Sequence, residues 1–277
     1  MDNRIDDGFL VELARSAALE AIARYKMDED AAFAIAFEIA QKSAELKALQ
    51  DDRKHRTRAY KDYAKEVRKR VYYALRKYET GEDLLEAAMA GTPSEARRKL
   101  LESHASTKER LADLEIFKKS VLPFFNKFER VLDVGCGLNP LIFSPEEAAL
   151  AKEYIGVDKS KRSVEAVNAC AKRLGTSARA HVWDLANGWE EGLGSFGLAL
   201  VLKVVPVVLR LTPDLADTLG NVPAKVVLFT AATESMTKRE SVARRERAVL
   251  ETFLDKQLYK RIEPYEASSE FGWFARK

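Results

Sequence analysis

Three aspartates and two glycines in the second half of the chain have the types and spacing to hold a small polar ligand. The apolar run Val131-Leu132-Asp133-Val134 opens into Gly135-Cys136-Gly137. Glycines at such a turn let the backbone approach a ligand closely, because no Cβ intervenes. A second apolar run closes at Asp158, 23 positions after Gly135, and a third at Asp184, with Leu185 next to it. A carboxylate at Asp158 is placed to accept hydrogen bonds from ribose hydroxyls. One at Asp184 can accept from the exocyclic amine of adenine, with Leu185 packing beside the ring. The plainer alternative is that Asp158 and Asp184 cap their own turns.

A dinucleotide fingerprint needs G-x-G-x-x-G, with its last glycine on the helix. Here Pro140 occupies that last place. A ligand with no diphosphate has less need of a helix N-terminus. Acids ending three successive strands around Gly-x-Gly therefore point to S-adenosyl-L-methionine (SAM), which leaves as S-adenosyl-L-homocysteine. Cys136 suits the turn by its size rather than as a nucleophile. No Cys/His cluster has zinc-ligand spacing, so no metal is expected.

The elements that must position these residues follow from periodicity. Strands are expected at 130–135, 153–158, 178–184, 197–204 and 224–230, with helices around 144–151 and 161–174, near Pro206, and over 238–257. A closing hairpin, "YKRIEPYE" and "EFGWFAR", would put one antiparallel strand into the sheet. Strands alternating with helices predict an α/β fold with a doubly wound, mainly parallel sheet; joined to the SAM-type glycines and acids, this gives the expectation of a Rossmann-like SAM-dependent methyltransferase domain. Ligands of such sheets sit beyond the carboxyl ends of the strands, where strand order reverses. Residues 1–103 read as helix throughout: 8–25, 30–50, a basic helix with Tyr60, Tyr63, Ala64, Val67, Val71 and Leu75 on one face, then two short helices. Thr92, Pro93 and Glu95 mark the start of the last of these. The expected division is an all-helical RNA-docking domain, 1–103, and a SAM-binding methyltransferase domain, 104–277.

The chain has 277 residues, 47% hydrophobic and 32% charged, and a net charge of +3. No apolar run approaches the roughly 20 residues that span a bilayer. Two cysteines, Cys136 and Cys170, form no disulfide framework, and the first ten residues do not resemble a signal peptide, so a cytoplasmic setting without membrane attachment is expected. The charge is unevenly spread. Residues 1–52 carry 6 basic against 12 acidic side chains, and residues 53–77 carry 11 basic against 2 acidic ones. Arg53, Lys54, Arg56, Arg58, Lys61, Lys65, Arg68, Lys69 and Arg70 make either an electrostatic footprint for phosphates or a solvated helix face paired with the acidic helices before it. Lys238 and Arg239 are further candidates for RNA.

Three stretches carry a specific resemblance: "HASTKERL" (104–111), "VLDVGCGLNPL" (131–141) and "LALVLKVVPVVL" (198–209). Together they resemble the aminoglycoside-resistance 16S ribosomal RNA (guanine-N7) methyltransferases, the Arm and Rmt enzymes and the self-protection enzymes of aminoglycoside producers. The family pattern runs His-x-Ser-Thr-x-Glu-Arg, then Cys-x-Leu-Asn-Pro after the first strand, then Lys-x-x-Pro at the fourth. The resemblance implies SAM-dependent methylation at N7 of guanine 1405 in the decoding site of the 30S subunit, and hence aminoglycoside resistance. It also implies a SAM contact for Arg110, whose fork of donors suits a carboxylate. After the fifth strand the chain departs from the family: "LFTAATESMTKRESVARRER" (228–247) lacks the proline and glycines expected there, which leaves the target nucleotide less determined than the reaction.

Several side chains keep two readings at this stage. His104 is a packed histidine or a ligand contact. Ser106 and Thr107 are helix caps or cofactor contacts. Lys203, in an apolar run, contacts RNA or supports the active site, or else it snorkels to solvent. No general base is expected, since guanine N7 has no proton to remove. The expected partner is 16S rRNA in the 30S subunit, bound by a monomer. The rivals are a methyltransferase of another RNA, a small molecule or a protein, and an inactive RNA-binding assembly factor.

Overall fold

The computed structural model describes residues 7–23, 29–49, 54–75, 83–189, 191–234 and 241–277. The chain divides into two compact units, Met1–Tyr78 and Glu79–Lys277.

The first unit is helical: α1 (Asp7–Ile22), α2 (Glu29–Lys42), α3 (Ala44–Lys47) and α4 (Arg58–Leu75). Its core is mostly small side chains at helical spacing, among them Ala14, Ala17, Ala21, Ala32, Ala36 and Ala40, which let helices approach closely. Tyr60, Tyr63, Ala64, Val67 and Val71 form the buried face of α4, as their spacing predicts. The Tyr63 hydroxyl donates to the Ala36 carbonyl (2.9 Å) and the Tyr60 hydroxyl to Glu20 (2.9 Å), so both buried rings keep their polar ends satisfied. The helix expected over 30–50 breaks at Ser43, whose hydroxyl accepts from the Leu46 N–H and starts α3.

The second unit begins with α5 (Leu84–Met89), α6 (Pro93–Ser103), α7 (Ala105–Leu111) and α8 (Leu114–Lys127). The open α/β part follows: β1 (Arg130–Val134), α9 (Pro145–Ala148), β2 (Glu153–Asp158), α10 (Lys161–Leu174), β3 (Arg179–Val182), β4 (Phe196–Leu202), α11 (Val205–Leu211), α12 (Ala216–Gly220), β5 (Ala224–Ala232), α13 (Ala243–Lys256), β6 (Lys260–Glu266) and β7 (Glu270–Arg276). Thr92 and Glu95 close a reciprocal capping box around Pro93. The domain boundary expected after residue 103 lies instead near 78. Leu84, Ala87, Ala88, Leu100 and Leu101 belong to the core that also holds Phe117, Leu198 and Leu200. Arg97 donates to the carbonyls of Leu141 and Ile142 (2.6 and 2.7 Å), tying α6 to the segment after the glycine turn. These two helices are part of the sheet-bearing unit because their apolar faces are buried there.

The sheet has seven strands in the order β3-β2-β1-β4-β5-β7-β6. All neighbours from β3 to β5 pair in parallel; β7 runs antiparallel to β5, and β6 pairs antiparallel with β7. The expected single antiparallel strand is β7. Along β4, Leu198, Leu200 and Leu202 face one core and Ala199 and Val201 the other, so the strand reads as continuously apolar. Strand order reverses between β1 and β4. The carboxyl ends of these two strands, at the glycine turn and at Lys203, are where a ligand of such a sheet belongs.

Candidate active site

Gly135 and Gly137 have φ of +64° and +49°, in the left-handed region that glycine tolerates. A Cβ on Gly137 would lie 2.9 Å from the His104 ring, and one on Gly135 would lie 3.0 Å from the Val204 side chain. The turn is thus hemmed in by the residue that precedes α7 on one side and by the segment after β4 on the other. His104 is a buried, packed histidine, its Nδ1 3.2 Å from the Thr107 hydroxyl. It also serves as the N-cap residue of α7, without a side-chain capping bond. The capping role considered for Thr107 therefore fails: α7 starts at Ala105, and Thr107 sits inside its first turn. The Ser106 side chain lies outside the described residues.

The Asp158 carboxylate, half-buried at the end of β2, accepts from the Gly137 N–H (2.8 Å) and the Ser160 N–H (2.8 Å). Asp184, exposed, accepts from the Ala186 N–H (2.9 Å), and Leu185 packs on the core beside it. Both acids do cap turns. An ionised carboxylate offers about four acceptor positions, so each keeps capacity for a ligand.

Arg110 is the largest surprise in the site. Its guanidinium is 2% exposed and forks onto Glu270 of β7, which is 0% exposed: Nε to Oε1 2.7 Å, Nη2 to Oε2 3.1 Å. Nη1 donates to Asn139 (2.8 Å), whose amide donates to Asp133 (2.7 Å); the Tyr154 hydroxyl donates to the same Asp133 oxygen (2.6 Å). Thr230 and Tyr265 hydroxyls complete the shell of Glu270, at 3.0 and 3.3 Å. Burial would raise the Glu270 carboxyl, but the guanidinium of Arg110, with help from Lys203, outweighs it and holds Glu270 below the usual carboxylate range. Burial pushes Asp133 up to about 6, against its two hydrogen bonds. Cys136 is buried and its thiol is pushed up by burial, the opposite of an activated nucleophile.

One helical turn beyond Arg110, Asp113 holds the β6–β7 turn. Its carboxylate accepts from the Ser268 hydroxyl (2.7 Å to each oxygen) and the Ser269 N–H (3.0 Å). Lys203 lies just past β4 and pairs with Glu109 of α7, Nζ to Oε2 2.8 Å.

The structure brings His104, Thr107, Arg110, Asp158 and Lys203 around Gly135 and Gly137. Glu109, Asn139 and Glu270 join them without being among the residues expected from sequence. Glu109 and Asn139 stand inside motifs already singled out, while Glu270 has only one signal, an acid opening the apolar run "EFGWFA". Of the RNA candidates, Arg56, Arg58, Lys61, Lys65 and Arg70 are exposed, and Arg68 and Lys69 are partly covered. Arg53, Lys238, Arg239 and the Lys54 side chain lie outside the described residues. A cavity of about 430 Å³ at the start of α13, lined by Ser241, Val242, Arg244, Arg245 and Ala248, includes two arginines of the divergent 228–247 segment. Among the described residues there is no His/Cys/Asp/Glu cluster that could hold a metal, and no helix long and apolar enough to cross a membrane.

A family model described as ribosomal RNA methyltransferase (FmrO) matches residues 40–260. The chain belongs to this family. Among curated relatives, it is 31% identical over 121 residues to a 16S rRNA (guanine(1405)-N(7))-methyltransferase of Micromonospora olivasterospora, 44% of this chain and 41% of that one. It is 29% identical over 166 residues to an enzyme of the same name from Serratia marcescens, 56% of this chain and 59% of that one. These matches span about two-fifths to three-fifths of the relatives' lengths. Among solved structures, the 16S rRNA methyltransferase RmtF in complex with S-adenosyl-L-homocysteine superposes with a TM-score of 0.63 at 22% identity, over 100% of this chain and 99% of that one. The 16S rRNA methylase RmtB gives 0.60 at 22% identity, over 95% and 98%. The FmrO family chain thus has the methyltransferase fold, with a helical N-terminal region.

Proposed function

We propose that this FmrO family chain methylates 16S rRNA at N7 of guanine 1405, in the assembled 30S subunit, with SAM as methyl donor, and so confers aminoglycoside resistance. It does so as a cytoplasmic monomer. The observation that carries this reading is the convergence of α7, the glycine turn and Lys203 at the point where strand order reverses, in a chain that matches the family model over most of its length.

The residues present fit the donor. The turn at Gly135–Gly137 is a cradle that a Cβ would fill. Asp158 would hold ribose hydroxyls and Asp184 the adenine amine, each through acceptor positions its turn leaves over. Arg110 has five N–H groups, and the three bonds to Glu270 and Asn139 leave two for a methionine carboxylate. Bound SAM supplies an electrophilic methyl group on a sulfonium. Guanine N7 brings a lone pair and no proton, so the chain's task is positioning rather than base catalysis. On the first unit, the exposed cations Arg56, Arg58, Lys61, Lys65 and Arg70 would contact phosphates, which fix register without reading sequence.

Transfer of labelled methyl from SAM to 30S subunits, compared with free rRNA, protein and small-molecule fractions, tests the reading. Label in 16S rRNA of 30S subunits is expected. Label only in another fraction would overturn it.

A further inference from the structure

Lys203 and Leu258 are the two non-glycine residues at positive φ among the described residues, and Lys203 is the one in the site, at +62°. Such backbone is sparsely populated for side chains with a Cβ and gathers at functional sites. Two bonds hold it there: the Lys203 N–H donates to the Thr230 carbonyl and to the Thr230 hydroxyl, 3.1 Å each. The same hydroxyl donates to Glu270. The ammonium then crosses to Glu109 on α7 at 2.8 Å.

Two ion pairs therefore lie side by side, from consecutive residues of one helix. Arg110–Glu270 is the inner pair, at 2% and 0% exposure. Lys203–Glu109 is the outer pair, at 13% and 33%. The four charges sum to zero. The outer pair stands at the carboxyl end of β4, next to Val204, which abuts Gly135.

We infer that Glu109 is a positioning residue of the methyl-transfer site: it fixes the Lys203 ammonium beside the glycine turn and cancels its charge. The inference rests on the function proposed above. In N7 methylation the sulfur–methyl bond breaks as the N7–methyl bond forms, and the positive charge passes from the sulfonium to the purine. No proton moves. A lysine beside that purine with no counter-ion would oppose the charge it gains, and charge placed in advance where it develops is a large lever on rate. With Glu109 in place, Lys203 contributes shape and hydrogen-bond donors without a net positive field.

The test uses the full chain as wild type, Glu109→Gln, Glu109→Asp, Lys203→Met and the double variant Glu109→Gln/Lys203→Met. Single-turnover methylation of limiting 30S subunits is measured with the chain in excess and SAM saturating. SAM affinity is measured by calorimetry, and acylation of Lys203 by an N-hydroxysuccinimide ester is followed by peptide mass spectrometry. Glu109→Gln is expected to slow transfer roughly tenfold, equivalent to about 1.4 kcal/mol of barrier, with SAM affinity within about twofold, and to speed Lys203 acylation. Glu109→Asp should lie between. The double variant should be faster than Glu109→Gln, because removing the stranded cation removes the repulsion. A double variant no faster than Glu109→Gln, or Lys203 acylation unchanged by Glu109→Gln, would overturn the inference. Wild-type chain that methylates no 16S rRNA would instead overturn the proposed function, and the acylation rates would still decide whether Glu109 holds Lys203.

Discussion

The two units of the chain carry their charge in opposite ways. On α4 the cations stand at the surface, behind an apolar face of Tyr60, Tyr63, Ala64, Val67 and Val71. Several pair with local acids, Arg68 with Glu20 (2.9 Å) and Lys69 with Glu66 (3.3 Å). Pairs of this kind contribute little individually and are screened by salt. In the second unit the inner charges of the site are few and buried: Arg110, Glu270 and Asp133 are each under 3% exposed and share one hydrogen-bonded network. Exposed charge works by number and tolerates single losses. Buried charge works by geometry, and removing one member strands the others.

Substitution at the inner pair should give the largest effect. Glu270→Ala leaves the Arg110 guanidinium buried without its counter-ion, and should destabilise the chain by about 3–5 kcal/mol, read as a lower thermal or denaturant midpoint. A destabilisation no greater than that of breaking a surface pair would erase the contrast between the units.

Next comes the cofactor cradle. Asp158→Ala should weaken SAM binding by about 1.5–3 kcal/mol, the range for hydrogen bonds to charged groups, by calorimetry. Because Asp158 is only half-buried, the variant should stay folded. Undiminished SAM affinity would reduce Asp158 to a cap for the Gly137 and Ser160 N–H groups.

On the basic face, single changes should be small and cumulative. Lys61→Gln with Lys65→Gln should lower the slope of log affinity for 30S subunits against log salt by roughly 0.7–0.9 for each phosphate no longer neutralised. SAM affinity should not move, since every cradle residue lies in the second unit. An unchanged slope would make this face merely solvated.

The smallest effect concerns acid. Asp113 is held below its ordinary value: burial would raise it, but bonds from Ser268 and Ser269 prevail. An acid whose folded value is depressed adds stability that is present above its unfolded value of about 3.8 and lost as pH falls through the folded value. Asp113→Asn should therefore lose this increment at neutral pH and, lacking the titration, flatten the acid limb of the stability curve below about pH 4. An acid limb identical to wild type would show that Asp113 does not couple α7 to the hairpin.

Most of the fold could be read from the sequence because its strands are short apolar runs bounded by acids and glycines, and β1 to β5 fall where that grammar places them. The break at Ser43 escaped because helical periodicity continues on both sides of it. The domain boundary escaped for a related reason: α5 and α6 look like the helices before them, and only tertiary burial of Leu84, Leu100 and Leu101 assigns them to the sheet. In the candidate site, local motifs single out Arg110, the glycine turn and Asp158. The partner of Arg110 lies 160 residues away, at a strand end that carries no motif, and such a pairing is written in topology rather than spacing. Likewise Lys203 stands out in sequence as a lysine in an apolar run, but its counter-ion Glu109 appears only when α7 and β4 are placed together.

The central claim is methylation at a single purine nitrogen. N7-methylguanosine has a weakened glycosidic bond because its ring is cationic, so borohydride reduction followed by aniline cuts the RNA at that position. Treated 16S rRNA from cells expressing this chain should be cut at guanine 1405, with no cut there in cells lacking it, and the same cells should survive gentamicin. No new cut at guanine 1405, with gentamicin sensitivity unchanged, would contradict the account.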